Sequence, residues 1–183
     1  MTRLLGISGS LRAGSYNTAL LHAARELLPD GVELEVATLH GIPLYDGDAE
    51  EKHGIPAAAE ALKDKLAACD GLVLCTPEYN HSIPGVLKNA IDWMSRPGSD
   101  KERVFGGRPV ALLGASPSGF GTVLAQNAWL PVFRILGMRY WCGMELMVSG
   151  AHKVFDDQGK LQDEKVRELL RKHVTGFSDF VRG

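Results

Sequence analysis

Apolar and polar positions along the chain fall into two alternating patterns. Leu4 to Ile7, Leu72 to Cys75 and Val110 to Leu113 are continuous apolar runs of strand length bounded by turn residues. Continuous runs predict strands buried on both faces, as in a parallel sheet. Val32, Glu33, Leu34, Glu35 and Val36 instead alternate apolar with acidic, which predicts a strand with one wet face at a sheet edge. Leu146 to Val148 offers a fifth short strand.

Between these runs the period changes. Ala19, Leu20, Ala23, Ala24, Leu27 and Leu28 recur at helical spacing until Pro29-Asp30-Gly31 stops them, which predicts a helix from Ser15 to Leu28. Similar stretches cover Pro56 to Ala68, Pro84 to Ser95, Val123 to Leu136 and Asp163 to Val181. The last mixes charges at helical spacing over an inward row of Val166, Leu169 and Leu170, as a solvated covering helix does. Gly41 to Gly54 carries no such period and reads as one long surface loop.

Repeated β-α alternation predicts one α/β domain over residues 1–183, an open five-stranded parallel sheet with helices on both faces. With the wet-faced second strand at the edge, the expected order is 2-1-3-4-5, and ligands in such sheets sit beyond the carboxyl ends of the strands at the switch point between strands 1 and 3. Three loops therefore matter: those after Ile7, Cys75 and Leu113.

The first loop is Ser8-Gly9-Ser10-Leu11-Arg12-Ala13-Gly14-Ser15-Tyr16-Asn17. A hydroxyl- and glycine-rich approach to a helix N-terminus suits phosphate, because unpaired N–H groups and the positive end of the macrodipole meet there. Gly9 and Gly14 have P-loop spacing, but Ser15 and Tyr16 stand where Lys and Ser/Thr belong, so magnesium-nucleotide chemistry is not supported. No GxGxxG is present, and Gly6-Ile7-Ser8-Gly9-Ser10 fails the GxSxG elbow at its last position.

In the second loop, Pro77 and Pro84 bracket an acid, an aromatic, an amide and an imidazole: Glu78, Tyr79, Asn80 and His81. His81 lacks a second histidine at ligand spacing, so no metal site is expected, and Glu78 has no accompanying nucleophile. A loop touching a flat, partly apolar ligand fits these residues better than an acid–base site. The third, Gly114 to Val123, is again rich in Ser and Gly and could close over a ligand held by the other two.

Charge and composition narrow the partners. With a formal net charge of -2, the chain shows no nucleic-acid footprint. No apolar run approaches the ~20 residues that span a bilayer, and no signal-peptide pattern is seen, so a cytoplasmic protein without membrane contact is expected. Cys69, Cys75 and Cys142 form no CxxC pair and read as buried thiols.

Gly9-Ser10-Leu11-Arg12 with Ser15 and Asn17, then Pro77-Glu78-Tyr79-Asn80 with Ser82, Pro84, Leu87-Lys88-Asn89, Ile91-Asp92-Trp93 and Ser95-Arg96, resemble the NAD(P)H-dependent FMN reductase family of flavodoxin-like proteins. That family includes quinone, chromate and azo-compound reductases. The resemblance implies FMN as cofactor, NADPH or NADH as co-substrate and a small-molecule electron acceptor, whether a quinone, chromate, an azo compound or free flavin. It implies phosphate contacts from Ser10, Arg12, Ser15 and Asn17. It likewise implies ring contacts from Pro77, Glu78, Tyr79 and Asn80, with Ser116, Ser118 and Gly119 near the ring. Hydride then passes through the flavin, and no general acid or base is nominated.

The resemblance also implies a homodimer or homotetramer joined through the helices that carry Trp93 and Trp129, residues that by default are core. Thr122 and Leu130-Pro131 depart from the pattern of many members, and Pro131 should kink its helix or mark a restart. A flavodoxin-type electron carrier is the alternative, although such carriers tend to be strongly acidic. A signalling receiver is disfavoured because Ser8 and Thr76 stand where acidic residues are needed.

Overall fold

Strand β1 (Thr2–Ser8) lies between β2 (Val32–Ala37) and β3 (Gly71–Cys75), parallel to both, in a computed structural model that describes residues 1–183. Next to β3 runs β4 (Pro109–Ala115), and β4 carries both β5 (Arg139–Tyr140) and β6 (Leu146–Val148). The order β2-β1-β3-β4-β5 is the expected one. A sixth strand is added because the fifth position is split. β5 pairs with Pro109 and Val110, β6 with Leu113 to Ala115. Two half-exposed polar-edged residues give no apolar run, so β5 left no mark in the pattern.

The helices follow in chain order: α1 (Tyr16–Arg25), α2 (Gly47–His53), α3 (Ala57–Ala68), α4 (Gly85–Met94), α5 (Lys101–Phe105), α6 (Val123–Leu136), α7 (Ala151–Val154) and α8 (Glu164–Arg182). Alternation along β3 shows how the sheet divides them. Val73 and Cys75 face Leu20 and Leu21 of α1 and Val174 and Phe177 of α8. Leu72 and Leu74 face Leu66 of α3, Leu87 and Ile91 of α4, and Trp129 and Phe133 of α6. In β2 the alternation is kept, with Glu33 and Glu35 outward, as an edge strand requires.

Three expectations are corrected and one default reading is met. Gly41 to Gly54 is not all loop: Asp46 accepts N–H bonds from Asp48 and Ala49 and starts α2, whose Asp48 and Glu50 precede Lys52 and His53 along the dipole. No residue of α2 is buried, so apolar periodicity could not reveal it. Trp93 and Trp129 are core, as their default reading had it, at 1% and 0% exposure, so neither indole offers surface to a second subunit. Helix α6 continues through Pro131, so the proline marks no restart. Asn127 and Pro131 both face solvent, so the carbonyl deprived of its donor can be hydrated. Cys142 is exposed, whereas Cys69 and Cys75 are buried as expected.

Segment 41–54 is clasped by α4. Asn89 Nδ2 donates to the Pro43 carbonyl at 2.8 Å, and Asn89 Oδ1 accepts the Tyr45 N–H at 2.8 Å. Trp93 Nε1 donates to the same Pro43 carbonyl at 2.9 Å, and the Tyr45 ring meets Trp93 edge-on. Arg96 Nε reaches Glu50 at 3.1 Å, and the Tyr45 hydroxyl donates to Glu50 at 2.9 Å. Asn89, Trp93 and Arg96 of the sequence motif are thus a clasp on the strap that follows β2 in the chain.

Candidate active site

All three loops meet at the carboxyl ends of β1, β3 and β4. Gly9 makes the first approach possible: its N–H donates to the Cys75 carbonyl at 2.8 Å. A Cβ on Gly9 would lie 2.7 Å from Leu87 and 2.8 Å from Pro77. Gly114 has the same role between the second and third loops, since a Cβ there would overlap the Thr76 carbonyl and the Thr122 hydroxyl.

In the first loop, Ser15 is the N-cap of α1, its Oγ accepting the N–H of Asn17 at 3.2 Å and of Thr18 at 3.4 Å. Ser10 Oγ accepts the Arg12 N–H at 3.3 Å. Both hydroxyl hydrogens remain free to donate, and the N–H groups of Leu11, Ala13, Gly14 and Tyr16 have no partner within the chain. Arg12 is exposed, its guanidinium held 5.3 Å from the Tyr16 ring centre and outside every ion pair. Unpaired N–H donors, two hydroxyls, one free cation and a helix N-terminus form a donor set that fits a phosphate monoester. A cleft of about 800 Å³ opens from Arg12, Ser15 and Tyr16 toward His152 and Lys160, with no lining from the second or third loop.

Asn17 is placed differently from its neighbours. It is buried, and its side-chain amide pairs with Ala115 at the end of β4 rather than facing the loop.

The second loop owes its shape to a two-residue turn. Tyr79 and Ser82 exchange backbone bonds of 3.1 and 3.0 Å around Asn80 and His81, whose φ values are +51° and +61°. Two consecutive left-handed residues make a type I′ turn, which Asn tolerates better than most side chains do. Tyr79 is thereby left 46% exposed. Beneath it Thr76 is buried, donating to the Pro77 carbonyl and accepting Trp129 Nε1–H at 3.1 Å. Trp129 therefore helps support the loop from the core.

Glu78 points away from the turn. Its Oε2 accepts the N–H of Leu124 at 2.9 Å and of Ala125 at 3.0 Å, and its Oε1 lies 3.3 Å from His81 Nδ1. Thr122, the residue before α6, makes no side-chain cap of its own, so the cap comes from the neighbouring loop. A carboxylate engaged this way is an anchor, and no nucleophile lies beside it.

In the third loop, Ser116 is buried and Ser118 exposed, their hydroxyls 3.0 Å apart. Backbone bonds from Ser116 to Val148 and Ala151, and from Gly150 to Ser118, stitch the loop to β6 and α7. Gly119 is exposed, and between Gly119 and Gly121 the Phe120 ring is 75% exposed. Phe120 was not singled out from the sequence; its signal was a large apolar residue between two glycines beyond a buried strand.

The sequence profile described as NADPH-dependent FMN reductase matches residues 2–153. The chain belongs to this family. An NAD(P)H-dependent FMN reductase of Pseudomonas aeruginosa is 46% identical over 98% of this chain and 95% of its own. A 2-hydroxy-1,4-benzoquinone reductase of Burkholderia is 36% identical over 96% of this chain and 94% of its own. Among solved structures, the flavoenzyme NAD(P)H:(acceptor) oxidoreductase FerB of Paracoccus denitrificans superposes with a TM-score of 0.87 at 29% identity, covering 100% of this chain and 98% of that one. For an FMN reductase the free donors of the first loop and the rigid second loop are the parts to consider: one suits the phosphate, the other a flat ring.

Proposed function

We propose that this FMN reductase works in the cytoplasm as an NAD(P)H-dependent quinone reductase, with Ser10, Arg12 and Ser15 holding the flavin phosphate. Pro77, Tyr79 and Asn80 border the ring on one side, and Ser116, Ser118 and Gly119 border it on another. Bound FMN supplies hydride acceptance from the nicotinamide and onward transfer to the acceptor. The chain's own residues bind, orient and exclude water, and none needs to move a proton. The carrying observation is that Glu78, the one acid in the loops, is engaged at the start of α6, which leaves a site built for positioning alone.

The quinone class is supported by the relatives named for quinone reduction. No helix is long and apolar enough to cross a membrane. A homodimer or homotetramer is part of the proposal, with Leu124, Leu130 and Ile135 on the outer side of α6 as exposed apolar surface. Light scattering at micromolar concentration tests it; a monomeric mass would end that part.

The test of function is anaerobic reduction of the purified holoprotein by NADPH and by NADH, read as loss of flavin absorbance, followed by turnover with benzoquinone. Bleaching by at least one nicotinamide and steady quinone-dependent oxidation are expected. Bleaching without turnover would exclude benzoquinone as acceptor, and no bleaching by either nicotinamide would favour an electron carrier and overturn the reading.

A further inference from the structure

Asn17 sits where the first and third loops meet above the end of β3. It is 4% exposed. Its Nδ2 donates to the Ala115 carbonyl at 2.9 Å, and its Oδ1 accepts the Ala115 N–H at 2.9 Å. The side chain therefore satisfies both backbone groups of one residue, as a neighbouring strand would. The Cys75 thiol, which burial pushes well up and keeps protonated, donates toward the Asn17 carbonyl at 3.2 Å and Oδ1 at 3.4 Å. The Asn17 N–H is itself held by Ser15 Oγ.

These bonds consume the acceptor capacity of the amide and one of its two donors. They also join two functional segments. Asn17 lies two residues after the Ser15 cap, in the first turn of α1, and Ala115 ends β4 directly before Ser116 of the third loop. A shift of Ala115 relative to α1 moves the ring-side loop relative to the phosphate-side loop.

We propose that Asn17 is a positioning residue that sets the spacing between these loops, so that binding of the flavin ring as well as of the phosphate depends on it. The proposal rests on the FMN reading. It differs from a phosphate contact in one measurable way: riboflavin carries the ring without the phosphate.

The experiment follows dissociation of FMN, and of riboflavin exchanged in its place, from wild type, Asn17→Ala and Arg12→Ala on dilution, read as recovered flavin fluorescence. For Arg12→Ala, FMN is expected to weaken at least about tenfold, the cost of losing a charge-assisted contact, with riboflavin within twofold. For Asn17→Ala, FMN and riboflavin are expected to weaken together, each about fivefold or more. A loss confined to FMN, or no loss with either flavin, overturns the proposal. A wild type that holds no flavin sinks the FMN reading instead, before any variant is compared.

Should Asn17→Ala not fold, the wild-type protein still decides. The Asn17 side-chain amide resonances are expected to coincide in the FMN and riboflavin complexes. Displacement by FMN alone would mark a phosphate ligand and overturn the proposal.

Discussion

The Glu78 carboxylate accepts the Leu124 N–H at 2.9 Å, 46 residues along the chain, and so caps a helix that its own preceding residue leaves uncapped. Removing it strands two N–H donors and an anion–dipole contact. Caps contribute about 1 to 2 kcal/mol. Glu78→Ala is therefore expected to lower Tm by roughly 2 to 8 °C in a chain of this size. Glu78→Gln, which keeps an acceptor without charge, should lose less. Differential scanning calorimetry checks the order, and equal stability of all three proteins would refute the cap.

The Asn80-His81 turn needs two positive φ values. Asn80→Gly is expected to leave stability unchanged or slightly higher, since glycine adopts this region without steric cost. Asn80→Val should cost about 1 to 2 kcal/mol, because a β-branched residue is strained there. Chemical denaturation distinguishes them; a valine variant as stable as wild type would show that the turn relaxes.

Asn89 makes two bonds of 2.8 Å to the strap, one to Pro43 and one to Tyr45. Without them the segment keeps Trp93 and Arg96 as anchors but loses its central one. Asn89→Ala is expected to speed limited proteolysis within residues 41–54 several-fold while the rest of the domain stays protected. An unchanged cleavage rate would mean that the remaining anchors suffice.

His173 is 1% exposed, with neither ring nitrogen bonded and the Trp141 ring edge-on at 5.0 Å. Burial pushes its pKa down to about 4 from 6.5. Between those values the unfolded chain holds a proton that the folded one does not. Stability is therefore full above about pH 6.5 and falls as pH drops toward 4, each pKa unit corresponding to about 1.4 kcal/mol. His173→Leu should flatten this part of the stability–pH curve. Urea denaturation from pH 4 to 7 measures it, and the same slope in both proteins would exclude His173 as its source.

Much of the sheet was legible because burial on both faces writes itself as uninterrupted apolar runs: β1, β3 and β4 are found where Leu4 to Ile7, Leu72 to Cys75 and Val110 to Leu113 predicted them. β2 was placed at the edge by two glutamates. Elements without a core-facing pattern escaped. α2 is held by the Asp46 cap and by Glu50's bonds to Arg96 and Tyr45 rather than by a buried stripe, and β5 is too short to show a period. Trp93 and Trp129 could have been core or interface until packing chose core.

For the site, the sequence by itself determined the fold class, the three loops and the residue types that resemble a flavin reductase, because strand order and helix starts follow from local patterns. What only the tertiary structure decided is which side chains remain available. Ser10, Ser15 and Arg12 keep donors free, whereas Asn17 in the same loop commits its amide oxygen and one of its two amide hydrogens to Ala115, and Glu78 in the second loop commits a carboxylate oxygen to the N–H groups of Leu124 and Ala125. Hydrogen-bond capacity is finite, and whether a polar group binds a ligand or braces the fold depends on partners 98 and 46 residues away.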